Sequence, residues 1–169
     1  MDAEYLSRVA DNIVKRCGTR DPFRIAEELG IEVLFCENLS PLKGMYRVIK
    51  RNRFIFINSD LSPEMQRIVC AHEIGHDQLH RNLAKDGAIR EFMLYYLATK
   101  PEYEANIVAA EILLDTDTIL EYIREYKYTS VQIAQAMNTD ISLVALKVSH
   151  LAESGYDFSR VEYQRDFLK

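Results

Sequence analysis

Apolar residues recur at helical spacing through the first 17 positions, with Tyr5, Leu6, Val9, Ile13 and Val14 on one face, and the pattern stops at Gly18. A stripe of that period followed by glycine predicts an amphipathic helix over 3–17. Asp21 and Pro22 form an N-cap and first-turn pair, so PFRIAEEL reads as a second, short helix ending at Gly30. The pattern then changes. IEVLFC (31–36), GMYRVI (44–49) and RFIFIN (53–58) are rich in branched and aromatic residues and lie between turn-prone segments. They predict three strands, the last two joined as a hairpin across KRNR. Ser62 and Pro63 supply the next N-cap and first turn, opening a helix through EMQRIVCAHEIGHDQLH, and from there the pattern stays helical almost to residue 169. The expected class is α+β: a small mixed or antiparallel sheet with a helix against it, followed by a mainly helical C-terminal part.

Composition adds bounds. A chain of 169 residues with 48% apolar content can bury one real core. No internal repeat or linker divides it. Residues 1–115 are expected to form the core, including the N-terminal helix, and 116–169 a helical region packed on it. Against 26 acidic residues stand 21 basic ones, a net charge of −5, which gives no electrostatic reason to bind nucleic acid or an anionic membrane. The N-terminal stretch is charged throughout and does not read as a signal peptide, and no run of roughly 18 apolar residues is present to span a bilayer. Cys17, Cys36 and Cys70 are odd in number and widely spaced, which suits buried free thiols in a reducing compartment. The expected location is the cytoplasm.

The chemistry concentrates in CAHEIGHDQLH, residues 70–80, which holds three of the four histidines in the chain. On a helix, His72 and His76 are four residues apart, so both imidazoles leave one face and can reach a single ion. Glu73 stands beside the first of them, where a carboxylate can take a proton from a water at the metal without being a ligand. A chance H-E-x-x-H in a chain of this composition has a probability on the order of one in a hundred. Two histidines leave a catalytic zinc site incomplete, because such sites use three protein ligands and one open position. His80 lies one turn beyond His76, too far along the axis to join the same ion, and His150 reads as an ordinary residue of a later helix. A carboxylate from TKPEYEANIVAAEILL (99–114) is the better third donor. Thr99 and Pro101 mark that helix's start, and Glu102, Glu104, Asn106 and Glu111 are its polar groups. Glu102 and Asn106 share a face, a metal ligand paired with an amide that orients a histidine. Glu104 and Glu111 are expected on a solvated face.

AHEIGH followed about 25 residues later by EYEANIVAAEILL resembles the ImmA/IrrE family of metallopeptidases, in which an H-E-x-x-H helix precedes an E-x-x-A-(N/S)-x-x-A helix. The resemblance runs from about residue 20 to 150, with its signature within 71–114. It implies a zincin-like core, Zn2+ held by His72, His76 and Glu102, and Glu73 as general base. Glu104 is the fallback for the third ligand. Two departures stand out: Val108 where the family usually has phenylalanine, and LLDTD in place of LLMP. Both concern packing or the helix exit rather than ligands. The implied reaction is peptide bond hydrolysis, and an extended substrate is expected to pair with RFIFIN. His80, Tyr95 and Tyr96 are candidate stabilisers of the developing oxyanion by sequence proximity alone.

TSVQIAQAMNTDISLVALKVSHLAE has the rhythm of a helix-turn-helix. Its second helix offers only Lys147 and His150 toward phosphate, too few for DNA docking, so the pair is expected to pack on the core or to recognise a protein. In the resembling family the known substrates are helix-turn-helix repressors of mobile elements, which makes a repressor the implied partner. The alternative is a regulatory module that binds DNA or a repressor without cleaving it, with zinc structural or absent.

Overall fold

A computed structural model describes residues 2–83, 89–91 and 99–158. Helix α1 (Ala3–Cys17) is capped by the Asp2 carboxylate, which accepts from the Tyr5 N–H at 2.8 Å, and ends at Gly18 with a left-handed φ of 66°. Helix α2 (Pro22–Glu28) follows its Asp21 cap. Strands β1 (Ile31–Cys36), β2 (Gly44–Ile49) and β3 (Asn52–Asn58) lie where the branched and aromatic runs place them. Lys50 and Arg51 close the β2–β3 hairpin with φ of 49° and 71°, the paired left-handed geometry of a two-residue turn. Helix α3 (Pro63–Leu79) starts at its Ser62 cap, and α4 (Lys100–Leu113) at Thr99. Then come α5 (Thr116–Arg124), α6 (Ser130–Ala136) and α7 (Ile141–Glu153).

The sheet order is β1-β3-β2-β4, with β1 parallel to β3 and the other pairs antiparallel. Two expectations change here. The stretch after α3 is not helical throughout, since Ile89–Glu91 forms a short strand, β4, along β2. Three residues carry too little periodicity to stand out from helical surroundings. More consequentially, RFIFIN is a central strand, hydrogen-bonded on both sides, so it cannot accept an added substrate strand.

Helix α3 lies on the β2–β3 pair, α4 crosses α3, and α1 and α7 flank α4. One continuous apolar core runs from Leu6 and Ile25 through Ile55, Ile57, Val69 and Ile107 to Leu143 and Leu151. The crossing of α3 and α4 is unusually close: a Cβ built on Gly75 would meet the Cα and carbonyl oxygen of Ala105 at 2.9 Å. Only a hydrogen fits there. The departure LLDTD also has a local explanation. Asp115 caps α5 by accepting from the Thr118 N–H at 3.0 Å, and pairs at 2.7 Å with Arg20, which also donates to the Glu111 and Ile112 carbonyls at the end of α4. Val108 is fully buried.

No helix among the described residues is long and apolar enough to cross a membrane. The cysteines are free, but only Cys70 is fully buried; Cys17 and Cys36 are half-buried. Burial pushes the Cys70 thiol well above its ordinary range, which keeps it un-ionised and inert.

Candidate metal centre

The close crossing of α3 and α4 brings His72, His76 and Glu102 together, each offering one donor atom to a common point. His72 Nε2 and His76 Nε2 are 3.0 Å apart, and the Glu102 carboxylate lies 3.3 Å from the first and 3.4 Å from the second. A tetrahedral ion with donors at about 2.0–2.1 Å has donor–donor edges of about 3.3–3.4 Å, so the cluster already has the span of a zinc site. Both imidazoles are buried, whereas the Glu102 side chain keeps 19% of its surface exposed. Solvent therefore reaches the cluster past Glu102.

Electrostatics favours the ligand forms. Burial pulls His76 down to about 4, outweighing the opposing pull of Glu102. Burial alone would raise the Glu102 carboxyl, but hydrogen bonding and charge interactions with His72 and His76 prevail and hold it well below the usual carboxylate range. A neutral imidazole and an ionised carboxylate are the states that coordinate a divalent ion.

The supporting contacts are equally specific. The Asn106 side-chain oxygen stands 3.0 Å from His72 Nδ1, one turn along α4 from Glu102. Glu73 is completely buried beside β2. A Cβ on Gly44 would come within 3.0 Å of Glu73 Oε1 and 2.4 Å of Val69 Cγ1, so the first residue of β2 has no room for a side chain where it passes this carboxylate. At the end of α3, Asp77 is fully buried and accepts from Tyr46 Oη at 2.6 Å, Arg53 at 3.0 Å and Arg81 at 2.9 Å, tying the helix to the sheet. Burial, then the bond to Asp77, pushes the Tyr46 hydroxyl far above its usual pKa.

Several residues stand elsewhere than expected. Glu104 and Glu111 do not lie on a solvated face; they are 3% and 5% exposed. Glu104 does not join the donor cluster either. Its carboxylate meets His80 Nε2 at 3.1 Å, and His80 Nδ1 in turn lies 3.1 Å from His76 Nδ1. His80 is thus engaged on both nitrogens. Tyr95 and Tyr96 lie outside the described residues. Glu111 binds Lys147 Nζ at 2.6 Å, and His150 Nε2 meets Ser7 Oγ at 2.9 Å. Lys147 and His150, the two groups of the helix-turn-helix with charge to offer DNA, are therefore both buried. The exposed positions of α7 are Ile141, Ser142, Ser149, Ala152 and Glu153, none of them cationic.

Residues missed by the sequence reading had weak signals. Gly44 follows a turn and opens a strand, a commonplace for glycine. His80 at four residues beyond His76 was visible as a spacing, but its partner Glu104 is set by the fold. Gly75 and Ala105 are small residues inside helices, a hint of close helix crossing that names no partner.

Comparison with known proteins supplies the rest. The family model described as the IrrE N-terminal-like domain matches residues 26–149. A protein of Bacillus phage phi105 named "Uncharacterized immunity region protein 2" is 31% identical over 142 residues, covering 84% of this chain and 88% of its own length. The protein named "Metallopeptidase ImmA" of Bacillus subtilis (strain 168) is 26% identical over 142 residues, covering 83% of this chain and 82% of its own. Matches that span the sheet, the H-E-x-x-H helix and α4 together leave no ambiguity about kinship: the chain belongs to the ImmA/IrrE family of metallopeptidases.

Proposed function

We propose that the protein is a zinc-dependent endopeptidase of narrow specificity that acts in the cytoplasm on a helix-turn-helix transcriptional repressor of a mobile element. The observation that carries this reading is the convergence of His72, His76 and Glu102 at ligand spacing beside a buried Glu73. His72, His76 and Glu102 would hold the ion, a choice over Glu104 supported by the contact of the Glu104 carboxylate with His80 instead. When bound, zinc supplies the Lewis acidity that makes a water nucleophilic near neutral pH and polarises the scissile carbonyl. Glu73 takes the proton of that water and delivers it to the leaving amine. Asn106 fixes the ring of His72, and Gly44 leaves Glu73 the space its position needs.

An extended substrate needs an open sheet edge, and β3 has none. The edge beside the site is β4, whose Glu91 pairs with Gly44, the residue packed against Glu73. The repressor as substrate is supported by the phage relative named for an immunity region and by the substrates known in the family. The burial of Lys147 and His150 weighs against the DNA arm of the non-cleaving alternative. The test is incubation of the metal-loaded protein with the repressor encoded beside it. Cleavage at one or a few bonds, stopped by a chelator, is expected; an intact repressor after long incubation with protein holding one zinc per chain would overturn it.

A further inference from the structure

The two candidate histidine ligands are supported differently. A histidine that offers Nε2 to an ion carries its proton on Nδ1, and in a buried site that N–H must be donated. For His72 the acceptor is the neutral Asn106 amide oxygen at 3.0 Å. For His76 the atom at 3.1 Å is His80 Nδ1, itself an imidazole nitrogen. It accepts only if His80 carries its proton on Nε2, and that nitrogen lies 3.1 Å from Glu104 Oε2. One arrangement of protons satisfies the whole chain: His76 Nδ1–H to His80 Nδ1, then His80 Nε2–H to the Glu104 carboxylate. The other Glu104 oxygen faces Lys100 Nζ at 3.8 Å.

We infer that His80 and Glu104 form a hydrogen-bonded relay behind His76, making it a more electron-rich and more firmly oriented ligand than His72. The relay rests on the proposed metal site and adds two positioning residues to it. His80 and Glu104 touch neither ion nor substrate; they act through His76. The geometry favours this over simple packing, because His80 and Glu104 are both buried and the contacts run nitrogen to nitrogen and then nitrogen to carboxylate. A residue filling space would need neither direction.

Zinc affinity, measured by competition with a chromophoric chelator on the full chain, tests the relay. His80→Phe keeps a ring in place and removes the acceptor, and is expected to weaken zinc binding about 10- to 100-fold. His80→Gln, whose amide oxygen can accept from His76, is expected to recover most of that loss. Glu104→Gln is expected to weaken binding in the wild-type background and to add no further loss to His80→Phe, because Glu104 acts only through His80. Wild-type zinc binding with His80→Phe within twofold of it overturns the relay and leaves the metal site standing. Additive losses in the double variant overturn it too. A folded wild type that binds no zinc overturns the site reading itself. A second measurement needs no variant: long-range 1H–15N spectra of the zinc-loaded wild type should place the His80 proton on Nε2 and the His76 proton on Nδ1, and a His80 proton on Nδ1 sinks the relay.

Discussion

Glu73 has two demands on it at once, a carboxylate that must sit dry beside the donor cluster and a shape that leaves no space to wander. Part of its confinement comes from outside its own helix, where the Gly44 backbone of β2 passes against it. Because it is not one of the three converging donors, Glu73→Gln is expected to retain one metal per chain while lowering cleavage by about 10²–10⁴-fold, the share that a positioned general base supplies. Metal analysis and a cleavage assay on the same preparation check this, and full activity with metal bound would remove Glu73 from the reaction. The residue scale also corrects the reading of the two later glutamates. Each is turned inward by a buried basic partner, His80 for Glu104 and Lys147 for Glu111, and such partners lie too far away in sequence to be seen by periodicity.

At the scale of elements, the site is a product of how α3 and α4 cross. Gly75 against the Ala105 backbone sets the separation, and Glu102 and Asn106 reach His72 and His76 only at that separation. Gly75→Ala is expected to cost about 1–3 kcal/mol of stability by forcing the helices apart, and to weaken zinc binding beyond what the stability loss explains. Thermal unfolding and zinc titration on one sample separate the two effects. Helix α7 carries a different sensitivity. Burial holds His150 below its ordinary pKa, with Glu111 and Glu153 pulling the other way and Lys147 adding to the depression; Ser7 Oγ is its hydrogen-bond partner. A histidine whose folded pKa lies below its unfolded value of 6.5 stabilises the fold above that pH, because the unfolded chain takes up the proton first. Stability should therefore fall as pH drops below about 6.5, and His150→Gln should flatten that part of the melting-temperature profile. Unchanged slopes in the variant would clear His150 of the effect.

For the whole molecule, three donors assembled from two helices, two of them buried, give a bound ion a direct share in stability. An ion that binds the native state alone at 100 times its Kd adds about 2.7 kcal/mol, so zinc should raise the melting temperature and a chelator should lower it. Glu102→Ala should abolish the difference, and a zinc-dependent shift that survives in that variant would place the ion elsewhere.

Much of the outline was legible beforehand because it is written in local terms. Asp21, Ser62 and Thr99 announce helix starts through hydrogen bonds made within three residues, and the strand runs announce themselves by residue type. The placement of His72 and His76 on one face likewise needs nothing beyond the helical repeat, since four residues are about one turn. Family membership follows from the same short motif together with the helix after it. The rest depends on which elements meet. Strand order is not a local property, so β3 lies in the middle of the sheet although its sequence reads as readily for an edge. The meeting of Glu102 with two histidines about 30 positions away, the inward turn of Glu104 and Glu111, and the close packing of Glu73 against Gly44 arise only when helices cross and a sheet is laid beneath them. Backbone propensity acts over a few residues, whereas burial and donor geometry are fixed by neighbours that the chain brings together only on folding.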